Sequence, residues 1–266
     1  MRHPARWILL LSALIAAACA STAPAPEPPL RVLVWNIHAG RDAAGAVNLE
    51  RVADLVAASR ADVVLLQEID RGTRRSEGVD HLARLRELTG FNAAFGKSLD
   101  YQGGDYGIAI LSRWPILAHE TVPLRTDPPQ PRAGGELEPR VALLATIRAP
   151  GGPLTVVNTH FDASRVETWR LQEAEGLLER LAAVDGPLLA GGDFNAEPDS
   201  AVWERLRDGG LRDAWLLCGE GEGLTFPAKG PVKRIDYLFL RGSDGCDDAT
   251  VLESGASDHR PLFVVK

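Results

Sequence analysis

Six short polar stretches punctuate this chain, and each adjoins an apolar run. Asn36 follows Leu30 to Trp35, Gln67-Glu68 follows Asp62 to Leu66, and Asn158-Thr159-His160 follows Leu154 to Val157. Gly191-Gly192-Asp193-Phe194-Asn195 follows Pro187 to Ala190, Asp236 sits in Arg234 to Leu240, and Ser257-Asp258-His259 precedes Leu262 to Val265. Short apolar runs read as buried strands, so these amides, acids and imidazoles are expected at strand mouths, where sites gather. An Asp-x-Asn after a strand is also ordinary turn chemistry; its recurrence beside other polar mouths is what points to a site. Strand alternation turns Phe194 inward and Asp193 and Asn195 outward, and it puts Asn158 and His160 on one face. The two glycines are expected to let the backbone approach a ligand. Asp236, isolated among apolar neighbours, needs a partner, and a hydrogen bond to His259 is the economical pairing.

The elements that must carry these groups follow from periodicity. Asn48 caps a helix with Leu49, Val52 and Val56 on one face, and a second helix is expected around His81 to Leu88. Tyr106 to Ser112 reads as a strand closed by Trp114-Pro115, with Ile116 to Leu124 as its partner. Arg140 opens the strand Val141 to Ile147. Ser164 and Glu167 have capping-box spacing ahead of a stripe of Leu171, Ala174, Leu178 and Leu181. Ser200 to Leu206 is a short helix, and Trp203, Trp215 and Phe226 are expected to be packing residues. Asp70 to Val79 and Asp127 to Pro139 lack periodicity.

With 266 residues and 45% hydrophobic content, the chain has material for one large core. No internal linker or repeat interrupts residues 30–266, which are expected to form one domain. Ahead of it, Arg2, Arg6 and the run Trp7 to Ala18 have the layout of an export signal over residues 1–19, too short to span a bilayer comfortably. A Pro/Ala-rich tether occupies residues 20–29. Ala16-Ala17-Ala18-Cys19 resembles a bacterial lipoprotein cleavage box, with Ala16 where Leu is commonest. A lipidated Cys19 in the cell envelope and simple cleavage with release to the periplasm or outside both stay open. After export only Cys218 and Cys246 remain, as a disulfide or as two thiols. The net charge of −7 argues against gripping long nucleic acid through a basic face. Two local basic clusters, Arg71-Arg74-Arg75 and Lys229-Lys233-Arg234, read as solvated loops.

Taken in order, Trp-Asn-Ile-His, Gln-Glu, Asn-Thr-His, Gly-Asp-Phe-Asn, Arg-Ile-Asp-Tyr and Ser-Asp-His resemble the endonuclease/exonuclease/phosphatase family, which includes the deoxyribonuclease-I-like nucleases. The likeness runs from Leu30 to Lys266. It implies an α/β fold of the α+β kind, a four-layer sandwich of two packed mixed sheets flanked by helices. A doubly wound parallel sheet would need more regular helices between strands than this chain offers. The resemblance further implies that Glu68 is the main metal ligand, supported by Asn36 and Asp258. It implies that Asp193 and Asn195 position water and phosphate, that His259 activates water under orientation by Asp236, and that His160 donates to a phosphate oxygen. Arg140 and Tyr106 fall where related enzymes bind phosphate. Carboxylate and amide ligands suit Mg²⁺ or Mn²⁺, and no arrangement here suits Zn²⁺.

The implied activity is hydrolysis of a phosphoester, with metal and histidine acting on water. The segments Asp70 to Ser76 and Tyr101 to Tyr106 resemble a branch related to the C-terminal domain of eukaryotic GPI-anchor remodelling proteins. That favours a lipid-linked or small phosphodiester; the alternatives are an extracytoplasmic nuclease and an inactive binding protein on the same fold. No obligate protein partner is evident, and a monomer is expected.

Overall fold

A computed structural model describes residues 28–129, 138–243 and 245–266. The export signal, Cys19, nearly all of the tether and most of Asp127 to Pro139 lie outside the described residues. In chain order the elements are β1 (Arg31–Asn36), α1 (Leu49–Ser59), β2 (Val63–Arg71), α2 (His81–Thr89), β3 (Asn92–Tyr101), β4 (Gly104–Ser112) and β5 (Ile116–Leu124). There follow β6 (Arg140–Ala149), β7 (Gly152–His160), α3 (Glu167–Ala182), β8 (Leu188–Asp193), α4 (Ala201–Asp208) and β9 (Arg212–Asp213). The chain closes with α5 (Ala214–Cys218), β10 (Asp236–Arg241), β11 (Asp248–Val251) and β12 (Leu262–Val265).

Two six-stranded sheets result, ordered β11-β12-β1-β2-β4-β3 and β5-β6-β7-β8-β10-β9. Each is mixed, because β1 with β2 and β7 with β8 run parallel while their other neighbours run antiparallel. Alternation places Val32, Val34, Leu65 and Ile110 of the first sheet against Leu143, Val156, Leu189 and Leu238 of the second, forming the central core. Leu33, Trp35, Val64 and Leu66 face the other way and are covered by Val52 and Val56 of α1 and Leu85 of α2. Val157, Leu188 and Phe239 are covered by Leu177 and Leu181 of α3 and Val202 and Leu206 of α4. The four layers are therefore helices, sheet, sheet, helices.

Several sequence expectations need correction. Strand β5 pairs with β6 in the second sheet, not with β4; the Trp114-Pro115 break carries the chain across the sandwich. Asn48 is the N-cap of α1, but its side chain makes no capping bond and Nδ2 donates to the Ala256 carbonyl. Ser164 does not cap α3 either: Val166 holds the N-cap position, and the serine hydroxyl is bonded to Asp162. Arg234 is no loop cation, since it is buried with its Nη1 at 2.7 Å from Asp213 Oδ2. Cys218 and Cys246 are joined as a disulfide with their Cα atoms 5.9 Å apart, tying α5 to the segment before β11.

Candidate active site

The parallel pairs bring the C-terminal ends of β1, β2, β7 and β8 to one rim. The antiparallel pairing of β10 with β8 sets the start of β10 there too, with Asp236 directly opposite Asp193. Gln67 and Asn158 lock the two sheets together just beneath this rim. Gln67 Nε2 donates to Asn158 Oδ1 at 2.6 Å, and Asn158 Nδ2 donates to the carbonyls of Leu66 and Ala109 at 2.8 Å. These bonds tie the sheets at a set spacing and hence set the spacing of the side chains above, although Gln67 Oε1 is left without a hydrogen-bond partner among the described residues.

Glu68 owes its exposure to a break in register. The β2–β4 pairing is irregular between Leu66 and Ile69, and Glu68 takes φ of 60°, a left-handed conformation that an unbranched acid tolerates only at some cost. The bulge frees its carboxylate from the ladder. Asn36 then joins the two sheets' acids: its Nδ2 donates to Glu68 Oε1 at 3.1 Å and to Asp193 Oδ2 at 3.0 Å. Its Oδ1 accepts from the His38 amide at 3.0 Å, which fixes the amide plane.

Asp193 is the hub. It is buried, its Oδ1 accepts from the Asn195 amide at 3.0 Å, and its Oδ2 lies 3.6 Å from His259 Nε2 and 3.7 Å from His160 Nε2. His259 Nδ1 is 2.9 Å from Asp236 Oδ2, and the other oxygen of Asp236 has no hydrogen-bond partner among the described residues. Trp35 Nε1 donates to the His259 carbonyl, and Ser257 Oγ donates to the Asn36 carbonyl, so the closing segment is pinned to β1. Phe226 is a packing residue, as expected from sequence, and what it packs on is the imidazole of His259, with the two rings 4.7 Å apart.

The glycines before Asp193 serve packing, not approach to a ligand. A Cβ on Gly192, whose φ is 149°, would sit 2.0 Å from the Thr159 carbonyl, and one on Gly191 would meet Leu65 at 2.7 Å. Phe194 is fully buried, edge-on to Phe161, Tyr237 and Phe239. Asn195 is half-buried and donates through Nδ2 to the Phe161 carbonyl at 3.0 Å. Asp258 is more open; its Oδ1 accepts from Ser257 Oγ at 3.3 Å and is 3.8 Å from His38 Nδ1. Arg140 is buried with Nη1 3.4 Å from Glu138, while its Nε and the Nδ1 of His160 have no hydrogen-bond partner among the described residues.

The electrostatics follow from burial and neighbours. Burial, and then Asp236, push the Asp193 carboxyl up to about 7. Burial alone would lower His259, but Asp236 and Asp193 outweigh it and raise the imidazole to about 10. Burial first, then Arg140 and His259, push His160 well below the usual histidine range, so it stays neutral. Burial, and after it Glu68, push the Tyr106 phenol well above its ordinary value.

Two groups of atoms come into question for a metal. Glu68 and Asp193 are joined by Asn36, whose Nδ2 donates to both, and two carboxylates brought this close fit a divalent cation such as Mg²⁺. Asn36 would have to turn its amide over to serve as a ligand, since its Oδ1 now accepts from the His38 amide, and Asp258 meets Ser257 and His38. Asp193, Asp236 and His259 also have ligand atoms within 4.8 Å of one another. There, however, His259 Nδ1 is engaged by Asp236 and the ring holds its proton, so the first group fits better.

Glu173 of α3 lies behind this rim. It is buried, accepts from the Asp162 amide at 2.8 Å, and burial raises it from 4.5 to about 8. The folded protein keeps this proton where the unfolded chain has released it. Stability therefore falls as pH rises from 4.5 towards 8, with a slope of up to about 1.4 kcal/mol per pH unit from this group. Glu173→Gln is expected to remove that decline. Urea unfolding of both forms at about pH 5 and about pH 8 checks it, and equal declines would contradict it.

A two-sheet α/β sandwich with acids, amides and imidazoles at one rim defines a class of phosphoester-handling folds. This chain belongs to the Endonuclease/Exonuclease/phosphatase family, whose model matches residues 33–259. It is 28% identical to uncharacterized protein YbhP of Escherichia coli (strain K12) over 245 residues, which is 87% of this chain and 94% of YbhP. Its fold is similar to that of an endonuclease/exonuclease/phosphatase from Bacteroides vulgatus, with TM-score 0.73, 20% identity, and coverage of 90% of this chain and 98% of the other. A mannosyl-6-phosphatase of Bacteroides thetaiotaomicron matches with TM-score 0.71 and 17% identity, covering 89% and 99%.

Proposed function

We propose that this protein is a divalent-metal-dependent hydrolase of phosphoesters, acting on a lipid-linked or small phosphodiester outside the cytoplasm. The observation that carries the reading is the placement of Asp193, which shares Asn36 with Glu68 and faces both His160 and His259 within 3.7 Å. A divalent cation, Mg²⁺ or Mn²⁺, held by Glu68 with Asn36 and Asp258 would neutralise charge developing on the phosphoryl group.

The remaining work falls to the chain. Asp193, held near the neutral range, is suited to accept the proton of the attacking water. His259 is the imidazolium that Asp236 orients, and its Nε2, 3.6 Å from Asp193 Oδ2, is available to donate to a phosphoryl oxygen bound beside that acid. Neutral His160 supplies a hydrogen bond without adding charge. Asn195 holds the loop after Asp193 in place, and Arg140 and Tyr106 flank the phosphate. In this reading the base role that the resemblance gives to His259 passes to Asp193, because Asp236 and Asp193 favour the charged imidazole.

The phosphodiester preference rests on the likeness of Asp70 to Ser76 and Tyr101 to Tyr106. Export rests on Arg2, Arg6 and the run Trp7 to Ala18; the intact mass of protein made in its own host separates a lipidated Cys19 from simple cleavage. The function is tested by incubating purified protein with Mg²⁺ or Mn²⁺ and each of bis-p-nitrophenyl phosphate, p-nitrophenyl phosphate, sphingomyelin, phosphatidylinositol and plasmid DNA. Cleavage of diesters ahead of DNA is expected. Efficient nicking of DNA alone would instead establish a nuclease, and no turnover of any of them would overturn the hydrolase reading.

A further inference from the structure

Arg71, Arg74 and Arg75 share one loop, and the structure gives them different surroundings. Arg71 is committed to Asp80, with Nε and Nη2 at 2.9 and 2.7 Å from Oδ2. Arg74 is exposed, and its side chain has no partner among the described residues. Arg75 is held from several directions at once. Its Nε and Nη2 donate to Asp70 Oδ2 and Oδ1 at 2.6 and 2.9 Å, and the fully buried Asp70 also accepts from Thr73 Oγ1 at 2.9 Å. Its backbone amide donates to Gln102 Oε1 at 2.9 Å, which fastens the loop to the turn between β3 and β4. The guanidinium carbon sits over the rings of Tyr101 and Tyr106, at 4.8 and 5.3 Å from their centroids.

A guanidinium fixed in this way has little freedom left to lose on binding. Asp70 uses only two of its three nitrogens. Nη1 has no partner among the described residues, and the side chain is 27% exposed. Its location is also informative. Asp70 comes two residues after Glu68, beyond the bulge, and pairs across the sheet with Tyr106. Glu68 and Tyr106 both act electrostatically on Arg75, while Tyr106 also feels Arg140. Tyr106 is thus close to both arginines: the Arg75 guanidinium lies over its ring, and Arg140 acts on its phenol.

We propose that Arg75 Nη1, with Arg74 beside it, forms a binding subsite for a second phosphate group of the substrate, one group removed from the phosphoryl centre at Asp193. This rests on the hydrolase reading given above. Asp70 offsets the formal charge of Arg75, so Arg75 contributes a fixed, directional donor, and Arg74 contributes the uncompensated charge. A loop that needed only a structural tie would be served by the Arg71–Asp80 pair.

The test is calorimetric titration of the purified protein with propyl phosphate and with propane-1,3-diyl bisphosphate. Wild type is expected to bind the bisphosphate at least about tenfold more tightly. Arg75→Lys keeps a cation on buried Asp70 but loses the fork, so it should melt somewhat below wild type, and in its folded form the preference should fall to about twofold or less. Arg74→Ala should reduce the preference in part. A merely structural Arg75 would leave the ratio of the two affinities unmoved, so an undiminished preference in folded Arg75→Lys overturns the subsite. Binding of propyl phosphate by wild type without any preference for the bisphosphate overturns the subsite alone. Absence of both propyl phosphate binding and bis-p-nitrophenyl phosphate hydrolysis removes the hydrolase reading with it.

Discussion

Asp193→Asn is expected to lower turnover of bis-p-nitrophenyl phosphate by about a thousandfold or more, the upper range for loss of a positioned proton acceptor. The amide keeps the size of the acid and still accepts from the Asn195 amide, but it takes no proton from water. The same change removes a charge that burial and Asp236 oppose, but it also turns an NH2 group towards the Asn36 Nδ2 donor and the His259 imidazole. A modest loss of stability is therefore expected beside the large loss of turnover. Thermal melts beside turnover at saturating Mg²⁺ measure both, and excess metal should not restore the rate. A variant that keeps a tenth or more of wild-type turnover would mean that Asp193 is not the proton acceptor.

The second large effect concerns Asp236 and His259. Each alanine variant is expected to lose on the order of a hundredfold or more in turnover. An acid whose task is to orient an imidazole and keep it protonated has no separate role once the imidazole is gone. The double variant should thus lose little beyond His259→Ala, a strongly non-additive result. The 2.9 Å contact and the burial of Asp236 carry this expectation. If the two single losses multiply in the double variant, the residues act independently. Melting curves of all four proteins separate loss of function from loss of fold.

Much of this was legible in the sequence because it depends on local pattern. Apolar runs ending in Asn36, Glu68, His160 and Asp193 mark strands and their mouths, and a lone acid among apolar neighbours marked Asp236 as needing a partner. What sequence hid was long-range. Strand β5 has no local signal for choosing β6 over β4, because either pairing satisfies its alternation. Gly191 and Gly192 announce a close approach but not by what, and the answer is the backbone of β7 and the side chain of Leu65. Ser164 and Glu167 have the right spacing for a capping box, yet Asp162 captures the serine hydroxyl first. Arg75 reads as a solvent-facing residue in sequence because the rings it lies over, Tyr101 and Tyr106, come later in the chain.

Cation-dependent hydrolysis at this rim is tested most directly by hydrolysis of bis-p-nitrophenyl phosphate against Mg²⁺ concentration, for wild type and Glu68→Gln after treatment with EDTA. Gln still accepts from Asn36 Nδ2, so the fold should persist while the charge that holds the cation is lost. Wild type should be silent without metal and recover as Mg²⁺ is added, and Glu68→Gln should need about tenfold more Mg²⁺ or more for half-maximal rate and reach a lower plateau. Undiminished hydrolysis by the EDTA-treated wild type, or identical Mg²⁺ curves for the two proteins, would contradict the placement of the cation at Glu68.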